Sequence, residues 1–224
     1  MGIIERKERE KEQRRDEIIN AARDVFFEKG LQVATMDEIA EKAELGKSTL
    51  YLYYKSKEDL YLSVMMQGTA ILHRMFVDAA STGEPTAKLV WNLGEAYLQF
   101  FKQNRNYFRM YYFFENRQLH SQVSQEMLSM CSESDKGIWE IVVGLLEKGV
   151  QEGVFTRDTV PMQSAVMLWA NVYGLLLQLD RNDAHWKDKL GIDLEATLRK
   201  STALLLEAMM TEAAKKQYRH LLVV

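Results

Sequence analysis

The sequence predicts an all-α protein: a small N-terminal head followed by a larger helical body. Three observations carry that expectation. Apolar residues recur at helical spacing through the long segments, the mark of helices with one buried face. Only two prolines occur in 224 residues, Pro85 and Pro161, and both sit among Ser, Thr, Gly or Asp residues. A helix–turn–helix pattern is concentrated in residues 35–54.

The first amphipathic helix is expected from about Arg15 to Lys29, with Ile18, Ala22, Val25 and Phe26 on one face and Gly30 at its C-terminal cap. The Glu/Arg-rich run ahead of it, Glu5 to Arg15, reads as a solvated helical extension or a disordered arm. Thr35 and Glu38 have the spacing of a capping box, and Met36, Ile39, Ala40 and Ala43 then form an apolar face. Leu45 breaks the period, and Gly46 is expected to relax the backbone into a turn. The second helix points Leu50 and Tyr54 at the same core and leaves Lys47, Ser48 and Thr49 outward. Ser56 and Asp59 are spaced to cap a connector helix.

Such a helix pair implies double-stranded DNA. The major groove, about 12 Å wide, admits one helix by its N-terminal end. Lys47 can donate to guanine, Ser48 and Thr49 can contact either base class, and the Thr49 methyl can meet thymine. Tyr51 and Tyr53 can reach phosphates through their hydroxyls, and Lys55 and Lys57 stand near a helix start that favours anions. Net charge is −3, and residues 1–60 hold 12 Lys+Arg against 14 Asp+Glu, so the head is not basic overall. Local charge is what counts, because salt screens exposed charges beyond about 10 Å. Residues 45–57 contain Lys47, Lys55 and Lys57 and no acid. The expected result is modest non-specific affinity with strong salt dependence.

The head resembles the DNA-binding domain of the TetR family of bacterial transcriptional regulators. The resemblance rests on Ile19, Ala22, Phe26, Gly30, Thr35, Ile39, Ala40, Ala43, Leu50, Tyr51, Tyr54, Lys55, Lys57, Leu60 and Tyr61. It implies DNA contacts at Thr35, Lys47, Ser48, Thr49, Tyr51, Tyr53, Lys55 and Lys57. This chain departs from the family pattern at Glu44, where glycine is usual, and at Gly46, where serine or threonine is usual. The resemblance divides the chain into a DNA-binding domain, residues 1–66, and a ligand-binding and dimerisation domain, residues 67–224.

The body is rich in Met and aromatic residues. A break is expected at residues 81–85, a helix from Lys88 to Gln103, and another from about Gly137 to Glu152 ending at Gly153. Residues 106–114 hold six aromatics, which fit either a packed core or an apolar ligand pocket. Trp91, Tyr97, Phe101, Met110, Tyr111, Phe114, Trp139 and Asn171 are the candidate lining for a hydrophobic or aromatic effector. Residues 162–179 carry no charge, but Gln163, Ser164, Asn171 and Gln178 interrupt them, so a buried helix is favoured over a membrane span. That helix and a last long one, Leu194 to Met210, with Leu198, Leu205 and Met209 along one seam, are expected to pair with their copies as a four-helix homodimer interface. Two heads would then meet two half-sites.

Other functions are less favoured. A single cysteine, Cys131, leaves no intramolecular disulfide and fits a cytoplasmic protein, and the N-terminus lacks the apolar core of a signal peptide. His73, His120, His185 and His220 are scattered without metal-ligand spacing, so neither metal nor cofactor is expected. An enzyme is disfavoured. The alternative to a ligand-released repressor is a DNA-binding adaptor whose body recruits a protein partner.

Overall fold

The computed structural model describes residues 2–114 and 121–222, and His120 falls outside them. Among the described residues the protein is all-α, as expected, with a single isolated β-bridge between Phe155 and Met210. The helices are α1 Ile3–Val33, α2 Met36–Lys42, α3 Lys47–Tyr53, α4 Lys57–Ala80, α5 Thr86–Gln103, α6 Arg105–Phe114, α7 Gln125–Gln151, α8 Pro161–Ala184, α9 Leu194–Met209 and α10 Glu212–Tyr218. They pack as two compact units, Met1–Ala70 with Asn106–Ser134, and Ile71–Arg105 with Asp135–Val224.

In the first unit, α1 buries Ile18, Ala22, Val25 and Phe26. The charged run ahead of them is helical and exposed, with Arg6–Glu10 and Arg14–Glu17 pairs along it. Such pairs contribute only tenths of a kcal/mol each, roughly 0.2–0.5. Gly30, at φ 73°, breaks the helical geometry near the end of α1, a conformation that favours glycine. Tyr61 of α4 packs edge-on against Phe26 and Phe113, at 5.3 and 6.0 Å between ring centroids, and its hydroxyl donates to the Met110 carbonyl. Gly68 leaves room for Tyr107, since a Cβ there would lie 2.8 Å from that side chain.

The second unit has its core around Ala87, Val90, Trp91, Leu146, Phe155 and Leu206. The Arg199 guanidinium takes both carboxylate oxygens of Glu95, at 2.8 and 3.1 Å, joining α9 to α5. Along α9 the buried row is Leu194, Leu198, Thr202 and Leu206, each four residues on. This corrects the expected seam: Leu205 and Met209 are half-buried at its flank. Polar Thr202 holds a core position because its hydroxyl accepts from the Asn171 side-chain amide at 3.4 Å. On α8, Ala165, Leu168, Val172 and Leu176 are buried, whereas Met162, Val166, Met167 and Trp169 are exposed. None of the helices among the described residues is long and apolar enough to cross a membrane.

Candidate nucleic-acid interface

The helix–turn–helix is built from both of its ends. Thr35 precedes α2 in extended conformation; its Oγ1 accepts from the Glu38 amide at 3.2 Å, while Glu38 Oε2 accepts from the Thr35 amide at 3.0 Å. The capping box is therefore present, and it satisfies donors that a helix start otherwise leaves open. Glu38 Oε1 also takes Lys29 Nζ at 2.7 Å, tying α2 to the end of α1. The Lys29 ammonium and the Thr35 donors together hold the Glu38 carboxyl below the usual carboxylate range.

The turn corrects one expectation. Gly46 has ordinary extended backbone, φ −67° and ψ 143°, and serves as the cap of α3 without a side chain. The left-handed residue is Glu44, at φ 54°. It closes the turn together with bonds from the Glu44 amide to the Glu41 carbonyl and from the Leu45 amide to the Ala40 carbonyl. The glycine usual in the family at that position has a plain physical counterpart here.

On α3, Leu50 faces the core, and Tyr54, which follows the helix, is buried as well. Lys47, Ser48, Tyr51 and Leu52 are exposed, in two rows of i, i+4 neighbours, while Thr49 and Tyr53 are half-buried at the flanks. Leu52, 84% exposed, is an outward residue that the sequence reading passed over. The signal was available, since Leu52 lies off the Leu50–Tyr54 face, but an apolar side chain on a polar surface does not announce itself. Lys47 does not project freely: its Nζ sits 2.6 Å from Asp37 Oδ1, and that carboxylate holds the ammonium pKa above its ordinary value. Lys55, between α3 and α4, is exposed.

Lys57 is placed differently from the others. Its ammonium donates to the carbonyls of Leu31, Gln32 and Ala34, at 2.9, 3.3 and 3.1 Å. All three of its donors have an acceptor inside the protein. It fastens the start of α4 to the end of α1, beside Thr35. Below it, Ser56 Oγ accepts from the Asp59 amide, and the buried Asp59 carboxylate accepts from the Ser124 amide at 2.8 Å.

The eight effector-lining candidates are distributed over both units. Trp91 lies in the second unit's core, under the Lys88 ammonium. In the same unit, Tyr97 meets Phe76 edge-on, Phe101 carries the Arg105 guanidinium 5.2 Å above its ring, Trp139 tilts against Trp169, and Asn171 bonds Thr202. Met110, Tyr111 and Phe114 belong to the first unit, where the Tyr111 hydroxyl meets that of Thr69. Met110 alone of the eight lines a cavity of about 320 Å³ in that unit. Among the described residues, no cluster of three or more His, Cys, Asp or Glu side chains is arranged to hold a metal ion.

Comparison with known proteins matches residues 18–64 to the family of bacterial regulatory proteins, tetR family. The uncharacterized HTH-type transcriptional regulator YhgD of Bacillus subtilis (strain 168) is 27% identical over 154 residues, covering 67% of this chain and 76% of that protein. The fatty acid metabolism regulator protein of the same organism is 28% identical over 138 residues, 61% of this chain and 68% of that protein. Among solved structures, the transcriptional regulator FadR from Bacillus subtilis in complex with stearoyl-CoA superposes with a TM-score of 0.67. That match covers 86% of this chain and 98% of the other at 18% identity, a likeness of fold.

Proposed function

Because this chain belongs to the TetR family of bacterial regulatory proteins and is a DNA-binding transcriptional regulator rather than an enzyme, we propose that it acts as a homodimeric repressor, released from a near-palindromic operator by a small apolar effector. The observation that carries the reading is the outward surface of α3, where Lys47, Ser48, Tyr51 and Leu52 stand exposed while Leu50 anchors the helix to the core. Lys47 and Ser48 address base edges, Leu52 and the Thr49 methyl meet thymine methyls, and Tyr51, Tyr53, Lys55 and the Thr35 hydroxyl address the phosphate backbone. Lys57 supports that surface by holding α1 and α4 together instead of meeting a phosphate. Asp37 holds Lys47 in the free protein, so binding exchanges a carboxylate for the DNA.

Residues 1–66 serve as the DNA-binding domain and residues 67–224 as the effector and dimerisation domain of this cytoplasmic regulator. The exposed apolar side of α8, continued on α9 by Leu204, is the surface offered to a second copy. A fatty acid metabolism regulator among the relatives, and an acyl-CoA bound to a protein of the same fold, support an effector with a long apolar portion. Such an effector acts only if it binds the released state more tightly than the DNA-bound one. Selection from a randomised duplex library at about 150 mM salt, near the ionic strength where screening is physiological, tests the reading. An enriched inverted repeat is expected. Enrichment of no motif would overturn it in favour of a DNA-tethered adaptor.

A further inference from the structure

The cavity in the first unit lies among the end of α1, α4 and α6. Phe26, Phe27, Leu31, Tyr61, Met110 and Phe113 supply its apolar wall. Its charged lining is Lys29 and Arg109, and no Asp or Glu lines it. At about 320 Å³ it reaches the lower end of small-molecule sites, roughly 300–1,000 Å³. The wall is organised in advance by the Phe26–Tyr61 and Tyr61–Phe113 ring contacts and by the bond from the Tyr61 hydroxyl to the Met110 carbonyl.

We infer that this cavity binds a hydrophobic monoanion, its apolar part among Tyr61, Met110 and Phe113 and its carboxylate held by Lys29 and Arg109, and that occupancy weakens DNA binding. The coupling follows from Lys29, the residue that joins the cavity to the helix–turn–helix. In the empty cavity its ammonium is bonded to Glu38, which in turn receives the amide and hydroxyl of Thr35 at 3.0 and 3.1 Å. A ligand carboxylate competes with Glu38 for that ammonium and loosens the tie between α1 and α2. The opposite wall, at Leu31 and Gln32, is the stretch whose carbonyls Lys57 grips. Both connections lead to residues that position α3. The inference rests on the reading of α2 and α3 as the DNA-binding element, and it places an anion site apart from the body.

The test uses the full chain with two probes, 2-naphthoate and its neutral counterpart 2-naphthalenemethanol, titrated by calorimetry. Naphthoate should bind roughly tenfold more tightly than the alcohol, the scale of a charge-assisted hydrogen bond. In the Lys29→Gln/Arg109→Gln variant that preference should vanish while alcohol binding persists, which also shows that the variant is folded. Equal binding of the two probes, or a preference that survives in the variant, overturns the site. Naphthoate should also weaken binding of the wild type to its selected duplex. The effect should shrink in Glu38→Gln, where glutamine retains the capping box but not the charge that holds Lys29. Probe binding through Lys29 and Arg109 without any change in DNA affinity overturns the coupling. Failure of the probe-free protein to bind any duplex would instead sink the DNA-binding reading, with the calorimetry still deciding the site.

Discussion

Glu44 carries a side chain in a conformation that suits glycine. A left-handed L-residue costs about 1–2 kcal/mol, of which the greater unfolded-state freedom of glycine cancels part. Glu44→Gly should therefore stabilise the protein by roughly 0.5–1 kcal/mol, read as a higher denaturant midpoint with an unchanged slope. Glu38 makes a second residue-level statement, about pH. Its folded-state pKa is depressed, chiefly by the Lys29 ammonium and then by Thr35. Its contribution is thus complete above the ordinary glutamate value of about 4.3 and is lost as pH falls through the depressed one. Glu38→Gln should make stability less dependent on pH in that acid range, and an identical acid limb would show that the carboxylate does not matter to folding. The two residues also show what a sequence reveals. A capping box is legible because its partners stand three positions apart. The left-handed residue is less so, because Gly46 draws the eye and only closure of the whole turn determines which residue takes the unusual dihedral.

Among the elements, α3 and the segment after it should divide the work of recognition. Lys47 stands on the outward surface of α3, whereas Lys55 lies beyond its end. Lys47→Ala should relax preference at one base position by about 1–3 kcal/mol if the contact is bidentate. Lys55→Ala should weaken all duplexes alike and reduce the salt slope by about one unit. Both follow from affinity measured on operator and random DNA across a salt series. Equal losses on both duplexes for Lys47→Ala would move that residue to the backbone contacts. Helix existence was legible in the 3.6 period, and lengths were less so. The start of α1 at Ile3 is supported by exposed i, i+4 charge pairs that carry no apolar period. The buried row of α9 escaped because Thr202 looks polar until its partner on α8 is known.

For the molecule as a whole, the outer side of α8 and α9 decides whether two heads act together. Val166 and Leu204, 44% and 56% exposed, are apolar residues with no core to fill in the single chain. Introducing charge at both, Val166→Glu with Leu204→Glu, should yield monomers in sedimentation and a large loss of operator affinity. A variant that stays dimeric would exclude this surface. The long uncharged run of α8 pointed to burial on two sides, whereas the effector residues could not be read the same way. Aromatic density marks a core and a pocket alike, and which residues converge depends on tertiary packing that no local spacing encodes. The membership of residues 106–134 in the same unit as the head has the same origin.

The grip of Lys57 on three carbonyls has a consequence in chemical reactivity. An amine attacks an acylating reagent only as the neutral base, and Lys57 must first give up its internal acceptors to expose that lone pair. Lys55, two residues earlier and exposed, has no such cost written into its surroundings. The two lysines should differ in acylation rate, Lys55 reacting quickly and Lys57 only as fast as the junction of α1 and α4 opens. Modification at Lys57, followed by mass spectrometry, thereby becomes a clock for the breathing of the DNA-binding head.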